Sequence, residues 1–223
     1  MKLGMTQQRI IIADDHPLFR DALKQALQGD GSAIHIDEAG ALDKVIATIE
    51  QAEEGHDLIL LDLKMPGVQG FSGLVYLRAQ FPTIPVVVVS GNEEPEVMRR
   101  AMSLGAAGFI PKSASVATMR EAVASVLEGN QWAPPELANA SGQDQETDQL
   151  AQRLATLTPQ QVRVLMMLRE GLLNKQIAYN LSVSEATVKA HVSAILQKLN
   201  VESRTQAVIA ASRIDGETQS QPS

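Results

Sequence analysis

The rhythm of apolar positions changes along the chain. Residues 9–13 form a short apolar run ending in Asp14-Asp15. Residues 34–39 alternate, and residues 57–61 are apolar after an opening aspartate. Residues 85–89 are β-branched beyond Pro85, and residues 107–110 make a fifth, shorter run. Alternation predicts a half-buried strand, and an unbroken short apolar run predicts one buried on both faces. Between these runs the spacing becomes helical. Leu18, Ala22, Leu23, Ala26 and Leu27 share a helical face, Pro17 suits the first turn, and Gly29-Asp30-Gly31 suits a stop. Further helices are expected over 42–52, 72–80, 95–104 and 115–127.

Five alternating strand–helix units predict an α/β domain over residues 7–128. Its expected form is a flavodoxin-like, doubly wound, five-stranded parallel sheet of order 2-1-3-4-5. Ligands of such sheets sit beyond the carboxyl ends of the strands, where the strand order reverses. That point lies between strands one and three, which brings Asp14, Asp15 and Asp62 into one crevice. Ser90 and Lys112 fall at neighbouring strand ends.

After Gly129 the pattern dissolves. Pro134-Pro135 and the small polar residues from Asn139 to Thr147 read as a linker, set at 129–156. Leu150, Leu154 and Leu157 have helical spacing, so the end of the linker reads equally as helix or loop. Residues 157–213 are helical by pattern and predict a small four-helix domain. Thr158-Pro159 starts one helix, 174–181 is a second, Ser184 caps a third to about Leu199, and Ser203 or Arg204 opens a fourth. The tail, 214–223, is polar and expected to be disordered.

Composition narrows the class. The chain has 223 residues, 44% hydrophobic and 20% charged, as in ordinary globular proteins. Its apolar runs are too short for a membrane span or a signal peptide. With no Cys, disulfides and Cys-ligated metals are excluded, and a cytoplasmic location is expected. The net charge of −7 is uneven: eight Lys/Arg and five Asp/Glu follow Leu150, leaving eleven and twenty-one before it. The acidic part suits a metal, and the mildly basic part suits nucleic acid.

Three carboxylates in one crevice repel each other unless a cation joins them. Hard oxygen ligands, few in number, suit Mg2+. A lysine and a small hydroxyl opposite would receive a phosphoryl group. The chemistry this implies is phosphorylation of an aspartate.

On Asp14-Asp15-His16-Pro17, Leu61-Asp62-Leu63-Lys64-Met65-Pro66-Gly67, Ser90-Gly91 and Gly108-Phe109-Ile110-Pro111-Lys112, the first domain resembles the receiver domain of two-component response regulators. The resemblance implies that Asp62 is the phosphoacceptor. It implies Mg2+ held by Asp15, by Asp14 through water, by Asp62 and by the Lys64 backbone carbonyl. Lys112 would hold a phosphoryl oxygen, with Ser90 and Phe109 as a switch pair whose aromatic ring turns inward. The chain departs from many receivers in having Pro111 before Lys112 and Ser113 after it, and Phe109 lacks a hydroxyl.

In the third helix of the second domain, Val188, Val192, Ile195, Leu196 and Leu199 share one face, and Lys189, Ala190, Ser193 and Gln197 share the opposite one. A short helix, a turn and such a helix make a helix-turn-helix whose second helix enters the major groove. Leu157-Thr158-Pro159, the stretch from Gly171 to Ala178, the stretch from Ser184 to His191, Lys198-Leu199 and Ser203-Arg204-Thr205-Gln206-Ala207 resemble the LuxR-type helix-turn-helix. Together the two parts resemble the NarL/FixJ family. The resemblance implies that Lys189 meets phosphate or guanine, that Ala190 meets a thymine methyl, and that Asn174, Lys175, Thr187 and Lys198 contact the DNA backbone. Val208 and Ile209 would pair in a DNA-bound dimer. Gln161 replaces the usual Glu, removing a possible ion pair.

The expected function is a phosphorylation-controlled transcription regulator and not an enzyme, beyond acting on its own phosphoryl group. Its expected partners are a sensor histidine kinase, promoter DNA, a second copy of itself and RNA polymerase, with no membrane. Receiver pairing is expected through the sheet edge or helix near Phe109. The alternative is a DNA-binding regulator whose receiver is an interaction module without phosphorylation. An aspartate-nucleophile hydrolase would want an acid at Lys64, and a dinucleotide-binding protein a Gly-rich turn at Asp14 to Pro17.

Overall fold

The computed structural model describes residues 7–29, 33–138 and 145–214. In chain order its strands are β1 (Gln8–Ala13), β2 (Ile34–Ala39), β3 (Leu58–Asp62), the two-residue β4 (Lys64–Met65) and β5 (Val68–Gln69), β6 (Val86–Ser90) and β7 (Gly108–Pro111). Five of them form a parallel sheet in the order β2-β1-β3-β6-β7, and β4 pairs with β5 as an antiparallel hairpin. Counting sheet strands only, this is the 2-1-3-4-5 order. Helices α1 (Pro17–Gln28), α2 (Leu42–Gln51), α3 (Ser72–Gln80), α4 (Pro95–Ser103) and α5 (Val116–Leu127) make the crossovers.

Every residue of β3 and β6 is buried, which is why these strands read as unbroken apolar runs. Side chains alternate between faces. Ile11, Ile59, Leu61, Val86, Val88 and Phe109 join one core layer, and Ile10, Ile12, Leu58, Leu60, Val87 and Ile110 join the other. The third strand is shifted by one residue from the expected 57–61. Asp57 stays outside it because its carboxylate accepts the Arg9 N–H at 2.7 Å, while its own N–H donates to the Arg9 carbonyl at 2.8 Å. Asp62 therefore closes β3 as its last residue.

The β4–β5 hairpin has no signature in the hydrophobic pattern. Met-Pro-Gly turns there because Gly67 takes φ +82°, and because the Leu42 N–H donates to the Pro66 carbonyl at 3.0 Å. A Cβ on Gly67 would lie 3.1 Å from Leu42 Cβ.

Beyond α5 the chain doubles back on the sheet. Trp132 forms a parallel bridge with Gly108, its N–H donating to the Ala107 carbonyl and its carbonyl accepting the Phe109 N–H, each at 3.1 Å. A short helix α6 (Pro135–Ala138) and a longer α7 (Gln145–Ala155) follow, so the stretch bearing Leu150 and Leu154 is helical. Residues 139–144 of the expected linker, and 215–223 of the expected tail, lie outside the described residues. Next come α8 (Pro159–Arg169), α9 (Asn174–Leu181), α10 (Glu185–Leu199) and α11 (Arg204–Ile214). Buried Leu157, Val162, Leu165, Leu168, Ile177, Val188, Ile195, Leu199, Ala207 and Ala211 make their core.

The two domains touch. α3 lies against α7 and α8, and α4 lies against α7. Leu154 and Ala151, both buried, line a crevice of about 120 Å3 with Val75, Ala79 and Leu104. Arg100 of α4 donates to the carbonyl of Arg213 in α11 at 2.9 Å.

Candidate functional site

The carboxyl ends of β1 and β3 bring Asp14, Asp15, His16 and Asp62 together, each offering a ligand atom within 4.8 Å of the others. Asp14 and Asp62 are buried, whereas Asp15 is exposed. Lys112, just past β7, reaches into the crevice: its Nζ lies 2.5 Å from Asp14 Oδ2 and 3.0 Å from Asp62 Oδ2. The Lys112 ammonium also stands 4.6 Å from the centre of the Phe19 ring. Burial pushes the Asp62 carboxyl above its ordinary value, the hydrogen bond from Lys112 pulls it down, and the Asp14 charge pushes it up again; the net direction is up. Burial would lower Lys112, but its bonds to Asp14 and Asp62 outweigh that and hold its ammonium above the ordinary lysine value. Lys64, in β4, adds a backbone hydrogen bond to the Asp62 carboxylate.

Ser90 ends β6 and is buried, and its Oγ accepts the Asn92 N–H at 3.1 Å. Its carbonyl accepts the Lys112 N–H at 2.8 Å, which fixes the lysine's backbone beside the crevice. Phe109 is fully buried, so its ring already lies inward here. Among the described residues no peptide bond is cis, so Pro111-Lys112-Ser113 runs trans. His16 was not singled out from the sequence. Its N–H donates to Asp14 Oδ1 at 2.8 Å, and its Nδ1 lies 2.7 Å from Asp15 Oδ1.

The second domain presents α10 with Val188, Ile195 and Leu199 inward and Lys189, Ala190, Ser193 and Gln197 exposed. The turn between α9 and α10 is tight: Ser182 takes φ 53°, and Ser184 caps α10 by accepting the Thr187 N–H at 3.1 Å. The receiver touches α7, α8 and α11, and leaves the exposed face of α10 open.

The response regulator receiver domain model matches residues 10–124. The chain belongs to the response regulator family. A second model, the bacterial regulatory proteins of the luxR family, matches residues 155–211. The chain is 43% identical over 213 residues to a glycerol metabolism activator of Pseudomonas putida, covering 93% of this chain and 96% of that one. It is 31% identical to the nitrate/nitrite response regulator protein NarP of Escherichia coli K12, covering 92% and 94%. Its fold is similar to RcsB of Salmonella enterica serovar Typhimurium, solved bound to a promoter with the phosphomimetic BeF3-, at TM-score 0.56 and 22% identity over 94% of this chain and 100% of that one. This is a two-component response regulator with a receiver and a LuxR-type DNA-binding domain.

In this response regulator the expected DNA-facing residues do not share one environment. Lys189 is exposed and pairs with Glu185 at 3.3 Å, one turn earlier, a surface pair worth little. Asn174 and Lys175 open α9, and Thr187 lies in the first turn of α10. Lys198 is engaged within the domain: its Nζ donates to the Thr156 carbonyl at 2.6 Å and to Gln161 Oε1 at 2.8 Å. Gln161 thus keeps as a hydrogen bond what a Glu would make an ion pair, and it also accepts the Thr158 N–H at 3.0 Å. On α11, Ile209 is half exposed whereas Val208 packs on the core.

The acidic crevice fits Mg2+. Its donors are hard carboxylate oxygens, and Asp14 Oδ2 is buried with no hydrogen bond of good geometry, only the Lys112 ammonium beside it.

Proposed function

We propose that this regulator controls transcription through phosphorylation of Asp62 by a sensor histidine kinase, with Mg2+ held by Asp14, Asp15, Asp62 and the Lys64 carbonyl. The observation that carries this reading is Asp62 at the end of β3, buried, with Lys112 Nζ at 3.0 Å and two further aspartates beside it. An Asp62 carboxylate oxygen attacks the phosphorus of an N-phosphorylated imidazole. The P–N bond breaks, and its electron pair leaves with the imidazole. Lys112 is placed to follow a phosphoryl oxygen without leaving the crevice, since its ammonium is already held there. Mg2+, when bound, offsets the repulsion between Asp62 and the incoming phosphoryl group. Ser90, at the end of the adjoining strand, is the hydroxyl positioned to turn toward a phosphate, and Phe109 is its partner in the switch.

Lys189, Ala190, Ser193 and Gln197 form the face that enters the major groove, with Asn174, Lys175 and Thr187 on the backbone. Lys198 serves as a strut between α10 and the start of α8. Two half-sites about one helical turn apart would supply the specificity one helix lacks, with Ile209 offered for pairing. The receiver's route to pairing is a helical face and not the sheet edge. Backbone groups of a strand point outward at alternate residues. On the outer side of β7, the Phe109 N–H is taken by Trp132, and Pro111 has none.

Incubation with Mg2+ and acetyl phosphate, followed by intact-mass measurement, tests the proposal. One phosphoryl group is expected on the wild type and none on Asp62→Ala. Uptake by Asp62→Ala would overturn the assignment, and no uptake by the wild type would favour a receiver that works as an unphosphorylated interaction module.

A further inference from the structure

Arg204, the first residue of α11, reaches across to the turn before α9. Its Nη1 donates to Asn174 Oδ1 at 3.2 Å, and its Nη2 donates to the Leu172 carbonyl. Both Arg204 and Asn174 are partly buried. The turn is otherwise held by Gly171 at φ +83° and by the Gln176 side chain, which accepts the Leu173 N–H at 2.7 Å. Neither of these touches the Asn174 amide.

We infer that Arg204 is a positioning residue for DNA binding, because it fixes which way the Asn174 amide points. A carboxamide has one accepting and one donating end. A guanidinium can only donate, so it must take Oδ1, which turns the Nδ2 hydrogens away from Arg204. A DNA phosphate can only accept, so it needs that donating end. Asn174 begins the first helix of the helix-turn-helix, the helix that crosses the DNA backbone. Arg204 therefore selects the one amide orientation that a phosphate can use. It also ties that contact to α11, the helix that carries Ile209. The inference rests on the reading of Asn174 as a backbone contact.

The test is a double-mutant cycle on the full chain, with an arbitrary mixed-sequence duplex of about 30 base pairs as probe, since phosphate contacts are independent of sequence. Asn174→Ala and Arg204→Met should each weaken binding about tenfold, the scale of a hydrogen bond to a charged group. The double variant should be no weaker than Asn174→Ala alone. The slope of log affinity against log salt should not change, because a neutral amide releases no counterion. Asn174→Asp keeps a partner for Arg204, so it should melt no lower than the wild type yet bind worse than Asn174→Ala.

The outcomes separate cleanly. If Asn174→Ala binds like the wild type, the backbone contact itself fails, and the inference with it. If Asn174→Ala weakens binding and folded Arg204→Met does not, the contact stands and the positioning role fails. If Arg204→Met lowers the salt slope by about one and still weakens binding in the Asn174→Ala background, Arg204 touches phosphate directly, and positioning is overturned. Should Arg204→Met not fold, Asn174→Asp decides: binding equal to Asn174→Ala would overturn the inference.

Discussion

At the scale of single residues, a partly buried charge is held by partners on neighbouring elements. Asp37, in the middle of β2 opposite Ile11 of β1, shows this. Its carboxylate lies 2.9 Å from Nε2 of the buried His56, 3.3 Å from His35 Nε2 and 3.3 Å from Arg9 Nη2. Burial alone would raise the Asp37 carboxyl, but the His56 hydrogen bond and the His35 charge outweigh it, and the net direction is down from 3.8. A lowered folded-state value means that Asp37 adds stability in full above its unfolded value and loses it as pH falls through the folded one. The melting-temperature deficit of Asp37→Asn should therefore be larger at pH 6 than in acid below about pH 4. Thermal melts at pH 6 and pH 3 check this; a deficit that grows in acid would contradict it. The sequence showed these residues only as scattered polar positions, because their ion pairs cross from β2 to β1 and the loop before β3.

Elements are shaped by neighbours that the local pattern does not contain. The chain's single Trp forms an added bridge on β7, and a Cβ on Gly108 would lie 2.8 Å from the Trp132 carbonyl. Gly108 is thus a close-approach glycine. Gly108→Ala should push the Trp132 segment off the edge while β7 stays paired with β6 on its other side. A red shift of tryptophan emission, with a loss of stability of about 1–3 kcal/mol in urea, is the expected result. An unchanged emission spectrum would mean that the bridge yields without opening. Nothing in the sequence between Gly129 and Pro134 has a strand's alternation, since a one-residue bridge needs none. The helix ends were more legible. Thr158 and Gln161 close a reciprocal cap, and Ser115 and Ser184 cap α5 and α10, because these bonds span three residues.

For the molecule as a whole, an acidic receiver beside a mildly basic DNA-binding domain can oppose DNA binding in two ways, by covering the basic domain or by repelling the duplex. The structure separates those two ideas. The receiver sits on α7, α8 and α11, and the exposed face of α10 remains open. Repulsion without a steric cover is screened by salt, with a Debye length of about 8 Å at 0.15 M. The isolated segment from Leu157 onward should bind an arbitrary duplex more tightly than the unphosphorylated full chain at low salt. The two affinities should converge as salt rises past about 0.2 M. A gap that persists at high salt would show a cover that this arrangement lacks.

Taken alone, the sequence determined the sheet order, the crevice of Asp14, Asp15, Asp62 and Lys112, and the helix-turn-helix. Each is written in short-range periodicity, in caps within one turn, or in polar residues at strand ends that a parallel sheet must bring together. Only the tertiary structure decided that Lys198 braces the domain, that Arg204 holds Asn174, that Trp132 closes the β7 edge and that the outer face of α10 stays open. Those depend on pairs 24 to 113 residues apart, such as Trp132 with Gly108 and Arg100 with Arg213. A side chain's local neighbours do not encode which distant carbonyl or carboxamide will stand within 3 Å of it.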